Sequence, residues 1–165
     1  MATGRRTQLT RQIGEHLVAA ELGRRGLIAA PFAGNVPLFD LLAADEHGRS
    51  LPVQVKAING PSWQFSITQF LEVAVVEGIQ QVRGRVVLAR PELICIFVLL
   101  REAGKDEFFI FRLCDLQEYF AKVYVGGARP RNPNSMHCAI WPNDLQQYKD
   151  NWNLVFEALG APERT

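Results

Sequence analysis

The sequence predicts an α/β domain in which helices flank a mixed central sheet. Three observations lead there. Residues 7 to 25, TQLTRQIGEHLVAAELGRR, repeat apolar side chains at helical spacing. Residues 27 to 57 hold three short stretches of strand character. Residues 91 to 100, PELICIFVLL, form a continuous apolar run rich in branched residues, as in a central strand buried on both faces.

The elements follow in order. In the first helix Leu9, Ile13, Leu17 and Ala20 recur on one side, and Gly26 after two arginines is a good C-terminal stop. Strands are expected at 27–32, 38–44 and 50–57, the last two joined by the turn-like DEHGRS. SWQFSI reads as extended, and 68–90 reads either as a short helix or as irregular strands. The central run has a hairpin partner in EFFIFRL across REAGKD. DLQEYFAKV is expected as a helix, with Asp115 and Glu118 as a capping pattern and Leu116, Tyr119, Phe120 and Val123 as its apolar stripe. GGARPRNPNS is a loop. A last helix is expected from Pro142 to about Leu159, its core side formed by Leu145, Tyr148, Trp152, Val155 and Leu159.

A chain of 165 residues, 48% hydrophobic, suits a single domain over residues 1–165 with a real core. No apolar run is long enough to span a bilayer, and the N-terminal stretch lacks an apolar h-region, so no signal peptide is expected. Cys95, Cys114 and Cys138 are odd in number and form no CxxC, which fits a reducing cytoplasm and argues against a disulfide framework or a structural zinc site. The formal charge of +1 neither points to nucleic acid nor excludes a local basic patch. His16, His47 and His137 show no metal-binding spacing.

The chemistry concentrates in one hairpin. If 38–44 and 50–57 pair about a turn centred near His47, Asp40 falls opposite Gln54 and Leu38 opposite Lys56. Gln54 and Lys56 share a face by alternation, so Asp40, Gln54 and Lys56 converge. That set suits Mg²⁺ or Mn²⁺ bound by one charged and one neutral oxygen, with the remaining positions left to water, a main-chain carbonyl and a phosphate. The ammonium of Lys56 suits orientation of an attacking water and stabilisation of charge on phosphorus. Glu15 lies in line with Val18, Ala19 and Leu22 on the first helix, and a carboxylate in an apolar stripe needs a partner. That partner is either the site, through a metal-bound water or Lys56, or a salt bridge to Arg11 or another nearby base.

GEHLVAAELGRRG, then LFD, then VQVKA resembles the PD-(D/E)xK nuclease superfamily, which includes restriction endonucleases and archaeal-type Holliday-junction resolvases. The resemblance covers roughly residues 10 to 60 and is strongest toward the resolvase-like and Mrr-like branches, with a QxK variant of the motif. It implies a restriction-endonuclease-like αβββαβ core and a catalytic set of Glu15, Asp40, Gln54 and Lys56, with Asp40 and Gln54 on Mg²⁺ or Mn²⁺. It also implies DNA as substrate and a homodimer where both strands of a duplex are cut. The chain departs from the pattern in two places: Pro37 stands three residues before the Asp, and Gln54 removes one negative charge from the metal site. The implied activity is metal-dependent cleavage of DNA phosphodiesters. The alternative is a nuclease-fold module that binds nucleic acid or protein without turnover.

Other residues carry weaker signals. Arg129 and Arg131 suit phosphate contact, and a mobile polar loop is the equal alternative. Trp63 suits either base stacking or a place in the core.

Overall fold

The computed structural model describes residues 3–32, 39–128 and 131–160. The chain separates into two compact units, one within Met1–Trp63, Leu93–Phe111 and Trp141–Thr165, the other within Gln64–Glu92 and Arg112–Ile140.

The first unit opens with helix α1 (Thr3–Arg24), followed by β1 (Ile28–Pro31), β2 (Leu41–Ala44) and β3 (Ser50–Ile58). These three strands form an antiparallel meander. Strand β4 (Trp63–Ser66) leads into the second unit, which supplies a 3₁₀ turn (Ile67–Gln69), β5 (Leu71–Val76) and β6 (Ile79–Arg85). The chain then returns as β7 (Ile94–Leu99), parallel to β3, and β8 (Glu107–Arg112). The sheet order is β1-β2-β3-β7-β8, so the central sheet is mixed, as the sequence predicts. The ambiguous segment 68–90 resolves into strands: Glu77 and Gly78 both take positive φ, 50° and 76°, at the β5–β6 turn, the geometry that matches hairpin twist.

One face of this sheet carries Leu41, Ala43, Val53, Val55, Ile94, Ile96, Val98, Phe108 and Ile110. Val18 and Leu22 of α1 pack there, as do Trp152, Leu154, Val155 and Leu159. Full burial of Val18 and Leu22 contributes about 1.5–3 kcal/mol each. The buried side of α1 is therefore the Glu15, Val18, Leu22 stripe, while Leu9 and Ile13 of the expected stripe are about half exposed. Gly14 explains the choice: a Cβ there would collide with the Ala57 Cβ, so only glycine lets the helix sit this close to β3. The opposite face holds Phe97, Phe109 and Phe111, with Trp63 packed against the first two.

The expected last helix is two pieces, a 3₁₀ segment (Pro142–Tyr148) and helix α3 (Asn153–Leu159). Between them Asp150 takes φ 53° and its N–H donates to Phe108 O at 2.9 Å, so the chain pairs with β8 where an unbroken helix would have continued. Its apolar side chains are core all the same: Leu145, Trp152, Val155 and Leu159 are buried.

In the second unit, helix α2 (Leu113–Val123) begins two residues before the expected start. Arg112 is its N-cap, and Asp115, read from the sequence as the cap, is the third helical residue and accepts the Arg112 N–H at 2.8 Å. Glu118 pairs with Arg85 at 2.7 Å and has no capping role. Phe65, Phe70 and Phe120 make the aromatic core of this unit. The buried Gln117 ties Phe70 O and Val86 O together at 2.8 Å each. A short strand β9 (His137–Ile140), unread in the sequence, pairs with β4.

Among the described residues, no helix is long and apolar enough to cross a membrane.

Candidate functional site

The hairpin that carries the site is fixed at its turn. The Asp45 carboxylate accepts the N–H groups of His47 and Arg49 at 2.9 and 3.0 Å and the Arg49 side chain at 2.6 Å. The resulting register pairs Leu41 with Val53 and Ala44 with Ser50, the turn-centred register the sequence implies. One step further stands Asp40, alongside Gln54. Here the ladder gives way to side-chain chemistry. The Asp40 N–H donates to Val53 O at 2.9 Å, while its own carboxylate accepts the Val55 N–H at 2.9 Å. The carboxylate thereby takes the place of a main-chain acceptor on a strand that runs on to Ile58 beside β7.

The same Asp40 oxygen, Oδ2, also accepts the side-chain amide of Gln54. An ionised carboxylate only accepts, so the Gln54 NH₂ must face it, which leaves Oε1 as the acceptor end of the amide. Asp40 Oδ1 accepts Arg11 Nη2 at 3.0 Å, and Arg11 Nε donates to Glu15 Oε1 at 2.7 Å. Glu15 and Asp40 are each only 7% exposed. The partner of Glu15 in this cluster is thus Arg11, the salt-bridge alternative, and the guanidinium in turn links the helical carboxylate to the strand carboxylate. Those two hydrogen-bonded carboxylates hold the Arg11 pKa above its ordinary value, the Glu15 bond acting most and burial opposing it.

Lys56 follows Gln54 on the same face of β3, beside Phe97 of β7. Burial is the chief influence on its ammonium and lowers its pKa from the ordinary 10.5; the Asp40 charge acts against that shift. The main chain at Lys56 is pinned by the fully buried Trp63, which donates its indole N–H to Lys56 O at 2.9 Å. Trp63 is therefore a core residue, the second of its two sequence readings, and its anchor on the site strand is what it contributes. Thr7, Arg11, Asp40, Gln54, Val55, Lys56 and Ala57 together line a cleft of about 370 Å³.

Of the sequence-predicted residues, Asp40, Gln54 and Lys56 line this cleft, and Glu15 reaches it through Arg11. Arg131 is exposed in the second unit, and Arg129 lies outside the described residues. The sequence offers Arg11 only as a rival partner for Glu15. The i, i+4 spacing RxxxE was the available signal, but the reach of its guanidinium to Asp40 crosses from helix to strand and has no local signature.

The donor set bears on the implied cation. Among the described residues no group of three His, Cys, Asp or Glu side chains could hold a metal ion. An ion here would rely on the Asp40 carboxylate, the Gln54 amide oxygen, main-chain carbonyl and water, a hard-oxygen set that suits Mg²⁺ or Mn²⁺ better than zinc.

No family model matches the chain, and no curated protein matches it. Among solved structures it is similar to a bacterial homing endonuclease, I-Ssp6803I, at 17% sequence identity and a TM-score of 0.53, over 96% of this chain and 99% of that one. At that identity the likeness is one of fold.

Proposed function

We propose that this chain is a metal-dependent DNA endonuclease of the PD-(D/E)xK type, with Glu15, Asp40, Gln54 and Lys56 as its catalytic set. The observation that carries the reading is the cleft itself, where a buried strand carboxylate, an amide and a pKa-lowered lysine meet beside a helical Glu–Arg pair. The fold shared with a homing endonuclease supports DNA as the substrate class.

In this reading Asp40 and the Oε1 of Gln54 would hold Mg²⁺ or Mn²⁺, and the ion would supply Lewis-acid chemistry there. The protein's own part is positioning. The Val55 N–H and the Gln54 amide fix the Asp40 carboxylate in one orientation. Lys56, held on a strand anchored by Trp63, presents a half-buried cation where charge builds on the phosphate oxygens. Desolvation makes that cation more effective than an exposed lysine, because the surrounding dielectric is low. Glu15 holds Arg11 over the cleft. Arg131, with Arg129, supplies phosphate contact from the loop, and a homodimer supplies the second cut on a duplex.

One observation favours the non-catalytic alternative. Both oxygens of Asp40 already have donors, Arg11 on one and Gln54 with Val55 on the other, so the carboxylate is satisfied by the protein alone. Incubation of the protein with linear and branched DNA, with Mg²⁺ or Mn²⁺ against EDTA, separates the two. Metal-dependent cleavage lost in Lys56→Ala supports the enzyme; DNA binding with no cleavage of any substrate supports the binding module.

A further inference from the structure

We propose that Arg11 is the resident counter-cation of the acidic pair, and that a divalent ion must displace it to bind Asp40. This inference rests on the metal-binding reading above and adds a competition within it.

Glu15 and Asp40 are nearly removed from solvent, and buried carboxylates without a counter-charge destabilise a fold strongly. Arg11 answers both, with Nε on Glu15 and Nη2 on Asp40. A planar guanidinium does this with a fixed fork, which a lysine ammonium lacks. Asp40 then has a division of labour. Oδ2 is committed to β3, through the Val55 N–H and the Gln54 amide. Oδ1 is the oxygen turned to a cation, and it is the one Arg11 holds at 3.0 Å. An ion that coordinates Oδ1 therefore competes with Nη2 for it.

The exposures set which partner moves. The Arg11 side chain is 43% exposed, against 6% for Asp40 and 9% for Glu15. The carboxylates are fixed by β3 and by the packed face of α1, whereas the guanidinium, already partly in water, gains solvation by moving outward. Arg11 thus offsets part of the charge of the acidic pair before an ion arrives, and it weakens the affinity of the site for free ions.

The test compares wild type, Arg11→Gln and Arg11→Lys after EDTA treatment, using Mn²⁺ alone as the probe. Calorimetry reads affinity, and thermal unfolding with and without saturating Mn²⁺ reads stability. Arg11→Gln should bind Mn²⁺ about fivefold more tightly, as loss of an ion-pair competitor worth about 1 kcal/mol implies. Its unfolding midpoint should fall without the ion and recover more of that loss with Mn²⁺ than wild type gains. Arg11→Lys, which keeps the charge and the fold but not the fork, should lie between. If wild type binds Mn²⁺ and both variants bind it equally or more weakly, with a midpoint that the ion does not restore, Arg11 is a structural brace and the inference is overturned. If Mn²⁺ binds none of the three, the metal-dependent reading falls together with it.

Discussion

Lys56 and Gln54 carry the sharpest consequences at the scale of single residues. Burial lowers the Lys56 pKa below 10.5, so in the folded protein the charged form is disfavoured. Below the lowered value lysine is protonated in both folded and unfolded states, and the fold bears the full desolvation cost. As pH rises from that value toward 10.5, the unfolded chain binds more protons than the folded one, and stability rises. Lys56→Met removes the titration, so wild type should gain stability relative to it over that alkaline window, as read by denaturant unfolding at stepped pH. Cleavage should run the other way and fall as pH climbs through the lowered value, because the working form is the ammonium. Gln54→Glu sets a carboxylate against Asp40 where an amide now donates. Without metal it should cost about 1–3 kcal/mol through lost hydrogen bonding and like-charge repulsion. With Mn²⁺ it should bind the ion more tightly and still cleave.

The elements show why part of this site was legible in the sequence. Asp40 and Gln54 could be brought together from sequence because a hairpin register is a local property: one turn at His47, with Asp45 as its brace, sets every pair up the ladder. The face of α1 was harder. Leu9 and Ile13 form an apolar series as regular as Val18 and Leu22, and periodicity alone does not choose between them. Gly14 does choose, because close approach to Ala57 requires the missing Cβ. Gly14→Ala should cost about 1–3 kcal/mol or more by overpacking, and Ala57→Gly in the same chain should return part of the loss in a double-mutant cycle. The break before α3 has no sequence signal, because Asp150 adopts positive φ without a glycine or proline to announce it. The loop holding Arg131 has a similar hidden anchor. Gln80, 1% exposed, donates to Pro133 O and Ser135 O at 2.9 and 2.7 Å, contacts that join residues more than fifty apart. Gln80→Ala should destabilise the second unit by about 1–3 kcal/mol, seen as faster amide exchange in residues 131–136.

For the whole molecule, a formal charge of +1 gives little long-range attraction to a polyanion, so the DNA affinity of the proposed endonuclease would come from local contacts. Arg129→Ala with Arg131→Ala should weaken binding similarly on all sequences and reduce the slope of log affinity against log salt by about two units, since each phosphate contact releases roughly one counterion. The central claim is that the Asp40–Gln54–Lys56 cleft cuts DNA with a divalent ion. The most direct test is cleavage of a panel of linear and branched DNAs by wild type, Asp40→Asn and Lys56→Ala, each with Mn²⁺ and with EDTA. The account predicts cleavage by wild type with Mn²⁺ alone, and loss of cleavage in Lys56→Ala with the fold and DNA binding retained. It also predicts that Asp40→Asn loses ion binding and cleavage together. Cleavage that persists in EDTA, or that survives in both variants, would contradict it.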